Sequence, residues 1–176
     1  MAGFGHVAVG LAAARLWTGP DATRRTFAWA AAGFCALSLG PDLDVVGFPL
    51  GVPYGADWGH RGASHSMVMA LIVATAVALL WHRSEPRRMW LLAFLTVSSH
   101  GLLDILTDGG HGVALWWPVD LTRHFAPWRP LPVSPIGAGL LSMRGAYVFG
   151  FEVATFGPLW LWALLPLTRK RPQART

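Results

Sequence analysis

The chain has 176 residues, of which 53% are hydrophobic and only 13% are charged, whereas a soluble domain carries about 25% charged residues. This composition excludes an ordinary water-soluble domain and predicts an all-α integral membrane protein. The formal charge of +5 does not indicate a nucleic-acid partner, because the basic residues separate apolar segments instead of clustering on one soluble face. The single cysteine, Cys35, excludes an intramolecular disulfide.

Long apolar runs bounded by Arg, Pro and Gly predict about five helices that cross the bilayer or enter it partway. Their ranges are 4–17, 26–40, 64–82, 89–107 and 145–168. A full crossing needs about 20 residues, so we expect the first two to tilt or to cover part of the bilayer. Five spans leave no room for a second core. Residues 1–176 are therefore predicted to form one domain, with its site within about 1–120.

The basic residues predict the orientation of the chain, because short cytoplasmic loops are enriched in Lys and Arg. Ten of them lie at the first and third connections and in the tail 169–176: Arg15, Arg24, Arg25, Arg83, Arg87, Arg88, Arg169, Lys170, Arg171 and Arg175. Four lie at the opposite ends of the spans: Arg61, Arg123, Arg129 and Arg144. We therefore expect an inner (plasma) membrane protein with a cytoplasmic tail. Segments 41–63 and 108–144 would be outer interfacial or re-entrant loops, and the role of 121–144 stays open.

Ionisable and hydroxyl side chains from all five spans lie toward the predicted outer face. They are His6, Asp42, Asp44, His60, Arg61, Ser64, His65, Ser66, His100, Asp104, Thr107, Asp108 and Glu152. A charged group near lipid costs several kcal/mol unless it is paired, hydrated or bound to a metal. A set of such groups at one depth therefore indicates a functional site.

The types and spacing of these residues favour a metal. His100 and Asp104 are four residues apart, which places both on one face of a helix. Asp42 and Asp44 follow Gly40-Pro41, where a helix is expected to end and a loop can direct carboxylates at a cation. Imidazole with carboxylate suits zinc, and also manganese or iron. There is a simpler interpretation of each residue taken singly. His100 and Asp104 could be a hydrogen-bonded pair without a metal, and Asp42 could serve to end a helix.

At these positions the sequence resembles the YdjM-like family, whose members are regarded as membrane-bound metal-dependent hydrolases. The resemblance covers about residues 3–120 and rests on four motifs. They are Gly5-His6, Pro41-Asp42-Leu43-Asp44, His60-Arg61-Gly62-Ala63-Ser64-His65-Ser66, and His100 through Asp104, Thr107 and Gly110 to Pro118. Ala63 stands where the family pattern often has Thr. The family is distantly similar to zinc-dependent phospholipase C, and His100 and Asp104 match the His-x-x-x-Asp pair of that enzyme.

The resemblance implies a hydrolase for a phosphoester, with a lipid or lipid-linked substrate at the outer membrane interface. The site would bind one to three divalent ions, with zinc as the leading candidate. The ligands would be His6, Asp42, Asp44, His60, His65, His100 and Asp104. His60 could instead orient a ligand. The general base would be Asp44, Asp108 or Glu152. Substrate contacts are predicted for Arg61, Ser64, Ser66 and Thr107, with the Arg61 guanidinium on a phosphate.

Two other functions stay open at this stage. Intramembrane His and Asp residues also mark ion pathways, so a metal-ion or proton transporter is one alternative. A noncatalytic membrane scaffold with a structural metal is the other. A transporter needs polar groups that continue to the opposite face, and the third and fifth spans have none on their predicted cytoplasmic halves. The sequence therefore favours a one-sided site, whereas the substrate and the oligomeric state cannot be predicted from it.

Overall fold

A computed structural model describes residues 3–81 and 85–165 of the chain. It contains five α-helices: α1 Phe4–Thr18, α2 Arg24–Leu39, α3 Met67–Leu80, α4 Pro86–Asp104 and α5 Met143–Leu164. Three 3-10 helices, Gly40–Leu50, Ala63–His65 and Gly137–Leu141, connect them. No β-strand occurs among the residues that the structure describes. The prediction of an all-α fold with about five helices is confirmed.

Each helix overlaps its predicted range, and local capping explains where the bounds differ. Thr23 and Ser66 accept hydrogen bonds from the first turns of α2 and α3, so α2 begins at Arg24 and α3 at Met67. Helix α4 begins at Pro86, where the missing N–H of proline costs no helical hydrogen bond. The predicted ends at 82 and 168, together with His82, Arg83 and the basic tail, lie outside the described residues.

Two helical segments are long and apolar enough to cross a membrane. They are Met143–Leu164 and the continuous stretch Arg24–Leu50, in which α2 runs on into the first 3-10 helix. Helix α3, Met67–Leu80, is apolar but shorter. These segments of the described residues agree with the predicted membrane protein by length and composition, whereas the number of crossings and the re-entrant character of the loops remain predictions.

Helix α1 lies at the centre of the bundle and packs against α2, α4 and α5. Small side chains permit the close approach: a Cβ at Gly10 would lie 2.7 Å from the Cα of Cys35 in α2. Helix α3 packs on α4 alone among the five α-helices. As a result, the start of α1 and the ends of α2 and α4 meet at one end of the bundle.

The loops at this end are tied to the helices by specific hydrogen bonds. The Met67 N–H donates to Leu115 O, and the Ala114 N–H donates to Arg61 O. Arg123 donates to the carbonyl oxygens of His60 and Ala56. The segments around residues 60 and 115 therefore form one ordered layer over the helix ends.

Candidate metal centre

Helix α4 supplies two neighbouring polar side chains at its C-terminal end. His100 and Asp104 are one turn apart, and their side chains are at most 2% exposed. Between them lies Gly101, where a Cβ would be 2.4 Å from the backbone oxygen of His65. The absence of a side chain at Gly101 lets His65 lie against His100, with ring centroids 4.6 Å apart.

The 3-10 helix that follows α2 adds a carboxylate to this pair of imidazoles. Oδ1 of Asp42 lies 3.3 Å from Nε2 of His100 and 3.5 Å from Nε2 of His65. Oδ2 of Asp104 lies 3.6 Å from Nε2 of His65 and 3.9 Å from Nε2 of His100. Four side chains from three parts of the chain thus offer ligand atoms within 4.8 Å of one another.

The spacing of these atoms fits an ion better than direct hydrogen bonds. Hydrogen bonds between nitrogen and oxygen are about 2.7–3.2 Å long, which is shorter than all four separations. Ligands about 2.0–2.1 Å from a tetrahedral ion are roughly 3.3 Å from one another. The four residues are therefore spaced as ligands around a common point.

Three imidazole nitrogen atoms of this cluster are buried and have no hydrogen-bond partner among the described residues. They are Nε2 of His6, Nε2 of His65 and Nε2 of His100. A buried polar atom without a partner costs about 1–3 kcal/mol, so three such atoms in one place are unfavourable unless something binds them. A divalent cation satisfies imidazole nitrogen and carboxylate oxygen together. The donor set of the described residues thus fits a metal ion.

The other ring nitrogen of two of these imidazoles fixes the tautomer that a metal needs. Nδ1 of His100 lies 2.7 Å from Ser38 O, a carbonyl that accepts only the N–H form. Nδ1 of His65 lies 3.2 Å from Oδ2 of Asp44. With the protons on Nδ1, both lone pairs lie on Nε2 and point at the shared centre.

Asp44 lies behind the ligand set and accepts several hydrogen bonds. Its carboxylate accepts from Nδ1 of His60 at 2.8 Å and from Oγ of Ser64 at 2.6 Å. Asp44, His60 and His65 are also close enough to form a second group that could hold an ion. The 2.8 Å separation is a hydrogen-bond length, however, and this geometry favours a carboxylate that orients both imidazoles.

His6 adds an imidazole from the start of α1. Its ring stacks on that of His100, with centroids 3.7 Å apart and planes within 7°. Its Nε2 lies 3.7 Å from Oδ1 of Asp104. Ser38 Oγ donates to His6 O, so Ser38 connects the backbone of α1 with the His100 ring. His6 is thus adjacent to the four-residue group without belonging to it.

Arg61 is almost fully buried beside the centre. Its Nη1 donates to Thr107 Oγ1 and to Gly109 O, both at 3.0 Å, and its Nε lies 3.2 Å from Oδ2 of Asp104. A Cβ at Gly110 would lie 2.9 Å from Nη1, so glycine there leaves room for the guanidinium. These contacts hold a positive charge in a fixed position next to the carboxylate of Asp104.

Three other predicted site residues lie outside this cluster. Asp108 accepts from Val133 N at 2.7 Å and lies 3.6 Å from a guanidinium nitrogen of Arg144. Glu152 is buried on α5, where it accepts from Gly5 N at 3.1 Å. Ser66 caps the first turn of α3. Ser64 and Thr107 do reach the centre, through Asp44 and Arg61 respectively.

A cavity of about 270 Å³ opens onto the cluster. Its polar end is formed by Asp42, His60, Arg61 and Asp104. Its apolar wall comes from Leu39, Val45, Val133, Pro135, Ile136 and Leu140. Sequence reasoning assigned no site role to Ser38, Tyr54 or the stretch 133–140. Tyr54 also lines the cavity, and burial raises its pKa, so that its hydroxyl stays protonated.

Comparison with known proteins settles the family. The family model of the YdjM inner membrane protein matches residues 1–170. The chain belongs to the YdjM family. Inner membrane protein YbcI of Escherichia coli (strain K12) is 37% identical over 129 residues, which cover 72% of each chain. No solved structure shows a significant match. The resemblance seen in the sequence is confirmed, and the relative, like this YdjM family member, is a membrane protein.

Proposed function

We propose that this YdjM family member is a membrane-embedded, metal-dependent hydrolase that cleaves a phosphoester of a lipid or lipid-linked substrate. One observation carries the proposal. The Nε2 atoms of His65 and His100 have no hydrogen-bond partner in the described part of the chain, and they lie at metal-ligand spacing from the carboxylates of Asp42 and Asp104. This arrangement lies at the floor of a cavity, where a bound ion can contact a substrate.

Zinc is the ion that we propose for this centre. Two imidazoles and two carboxylates, without thiolate, form a donor set that zinc accepts and that structural zinc sites rarely use. When bound, the ion supplies Lewis-acid activation of water and of a phosphoryl oxygen. Asp42, His65, His100 and Asp104 are the residues that would hold it, and His6 is the nearest additional donor.

The cavity has the chemistry that a lipid phosphoester requires. The Arg61 guanidinium, held by Thr107 and Gly109, places a fixed positive charge at the polar end, which favours a phosphate. Ile136 and Leu140 form part of the apolar wall, which suits the hydrocarbon of a lipid. An amphipathic molecule with an anionic head therefore fits this space.

His60 is the residue that we propose to accept a proton during hydrolysis. It lines the cavity, and its Nδ1 is bound to Asp44 at 2.8 Å. With the Nδ1 proton donated to Asp44, the free lone pair is on Nε2, which has no partner among the described residues. Asp44 would stabilise the charged imidazole, so it would act as a positioning residue behind His60.

The orientation is a further part of the proposal. The cavity lies at the end of the bundle opposite to Arg15, Arg25 and Arg88, and basic residues mark the cytoplasmic side. The site would therefore face the extracytoplasmic leaflet, with lipid headgroups at its mouth. The five helices would then cross the bilayer or enter it partway, and the tail 169–176 would be cytoplasmic.

A hydrolysis assay with a metal-content control tests the proposal. We expect the purified protein with zinc or manganese to release phosphate or headgroup from a panel containing phosphatidic acid, phosphatidylglycerol and soluble phosphoesters. His60→Ala should keep its metal and lose about 10²–10⁴-fold in rate, the usual contribution of a general base. No turnover across the panel by metal-loaded protein would contradict the hydrolase. Ion flux by the same protein in liposomes would instead support the transporter.

A further inference from the structure

A second, apolar groove lies on the side of the bundle away from the metal centre. Its space, about 860 Å³, is larger than the cavity of about 270 Å³ at the metal centre. Helices α2 and α3 do not pack against each other along their described lengths, although each contacts α4. The gap between them is the groove, and α4 closes its floor.

The groove has a hydrophobic floor and open walls. Phe34 of α2 and Met89 of α4 are buried at its base. Trp29 stands on the α2 wall with 72% of its surface exposed, and Val77 and Trp81 form the opposite wall. At Gly33 a Cβ would meet nothing within 4 Å, so the missing side chain keeps the middle of the groove open.

The length of the groove matches one leaflet of a bilayer. Its α2 wall runs from Arg25 to Leu37, a rise of about 18 Å at 1.5 Å per residue. The hydrocarbon of a single leaflet is about 15 Å thick, half of the roughly 30 Å core. An extended acyl chain therefore fits along the wall from one interface to the bilayer centre.

One end of the groove carries a positive charge, which favours an anionic lipid headgroup. Arg25 lines this end and makes no hydrogen bond or ion pair with any described residue. Two basic neighbours at the same end have partners: Arg15 donates to Leu165 O, and Arg88 donates to Glu85 and to Leu16 O. Arg25 is therefore a free cation next to an apolar space.

We infer that this groove binds an acyl chain of an anionic phospholipid, with the lipid phosphate bound by Arg25. The groove is separate from the metal centre, since no residue lines both the groove and the metal-site cavity among the described parts of the chain. A lipid bound there fills the space between α2 and α3, whose described backbones do not pack against each other. It is a binding site for a resident lipid and does not depend on the hydrolase proposal.

Native mass spectrometry in a mild detergent tests the inference, with phosphatidylglycerol and phosphatidylcholine of identical acyl chains as probes. We expect the wild type to retain phosphatidylglycerol preferentially. Arg25→Gln should lower that retention about fivefold, because one basic residue near the surface contributes about 1 kcal/mol toward an anionic lipid. Retention of phosphatidylcholine should change little, since the apolar walls are intact.

Gly33→Leu fills the groove and should reduce retention of both lipids. Gly150→Leu is the matched control, because Gly150 is also an exposed helical glycine whose Cβ would meet nothing within 4 Å. Leucine favours a helix more than glycine does, so both variants should fold. An unchanged far-UV circular dichroism spectrum in every variant would show that the fold is intact.

Three results would overturn the inference. The first is equal retention of the two lipids by the wild type, and the second is full retention of phosphatidylglycerol by Gly33→Leu. The third is a lipid-free dimer of the wild type that Gly33→Leu dissociates into monomers. In that case a second copy of the chain, and not a lipid, occupies the groove.

Discussion

Oδ1 of Asp42 lies 3.3 Å from Nε2 of His100, although one residue follows α2 and the other belongs to the last turns of α4. The nitrogen atom is buried and has no hydrogen-bond partner in the structure. The Nδ1 atom of the same ring is bound to Ser38 O at 2.7 Å, so the ring cannot turn without losing that bond. The pair thus brings the end of α2 and the end of α4 together in a geometry that could hold a divalent ion.

Removal of a ligand should remove the metal. We expect His100→Ala and Asp42→Asn each to lower the metal content of detergent-purified protein at least tenfold, because each takes away one of four donors. Asp108→Asn is the control, since Asp108 is bound to Val133 and Arg144 outside the cluster and its variant should keep the metal. Elemental analysis measures the metal content of the two ligand variants and of the control. Equal metal in the ligand variants and the wild type would show that these residues do not bind it.

Asp44→Asn should weaken metal binding without abolishing it. The Asp44 carboxylate contacts the Nδ1 atoms of His60 and His65 and orients both rings. Loss of such an orienting group typically costs 10–100-fold in metal affinity, so we expect a loss of about that size. Competition with a chelator of known affinity measures the change. A complete loss of metal in this variant would instead identify Asp44 as a direct ligand.

Gly101→Ala should disturb the centre through its backbone. The added Cβ would lie 2.4 Å from His65 O, so His65 must move away from His100. We expect a loss of about 1–3 kcal/mol in stability, the range for overpacking, together with a lower metal content. Gly150→Ala is the matched control, because a Cβ at this helical glycine meets nothing within 4 Å. Thermal unfolding in detergent compares the two, and equal midpoints would contradict this packing.

How much of this site was predictable depended on whether partners were close along the chain. His100 and Asp104 could be paired from their spacing, because a helix places residues four apart on one face. The motif order also identified Asp42 and His65. Ser38 could not be foreseen, since its role comes from the packing of α2 against α1 and α4. No sequence pattern predicts that residues 133–140 fold back and form part of the cavity wall either.

The predicted orientation can be tested by cysteine labelling in intact cells. In a Cys35→Ser background, Asp120→Cys should react with a membrane-impermeant maleimide, because it lies in the loops next to the centre. Ala22→Cys, in the connection between α1 and α2, should react only after the membrane is opened. The reverse pattern would place the metal centre on the cytoplasmic side.

X-ray absorption at the zinc edge of zinc-reconstituted, detergent-purified protein tests the central claim most directly. We predict a first shell of four or five nitrogen and oxygen donors at about 2.0–2.2 Å, with the outer-shell scattering of two or three imidazoles. A His65→Ala, His100→Ala double variant should lose that imidazole signal. A zinc ion surrounded only by water and buffer oxygen in the wild type, or an unchanged spectrum in the double variant, would contradict the claim.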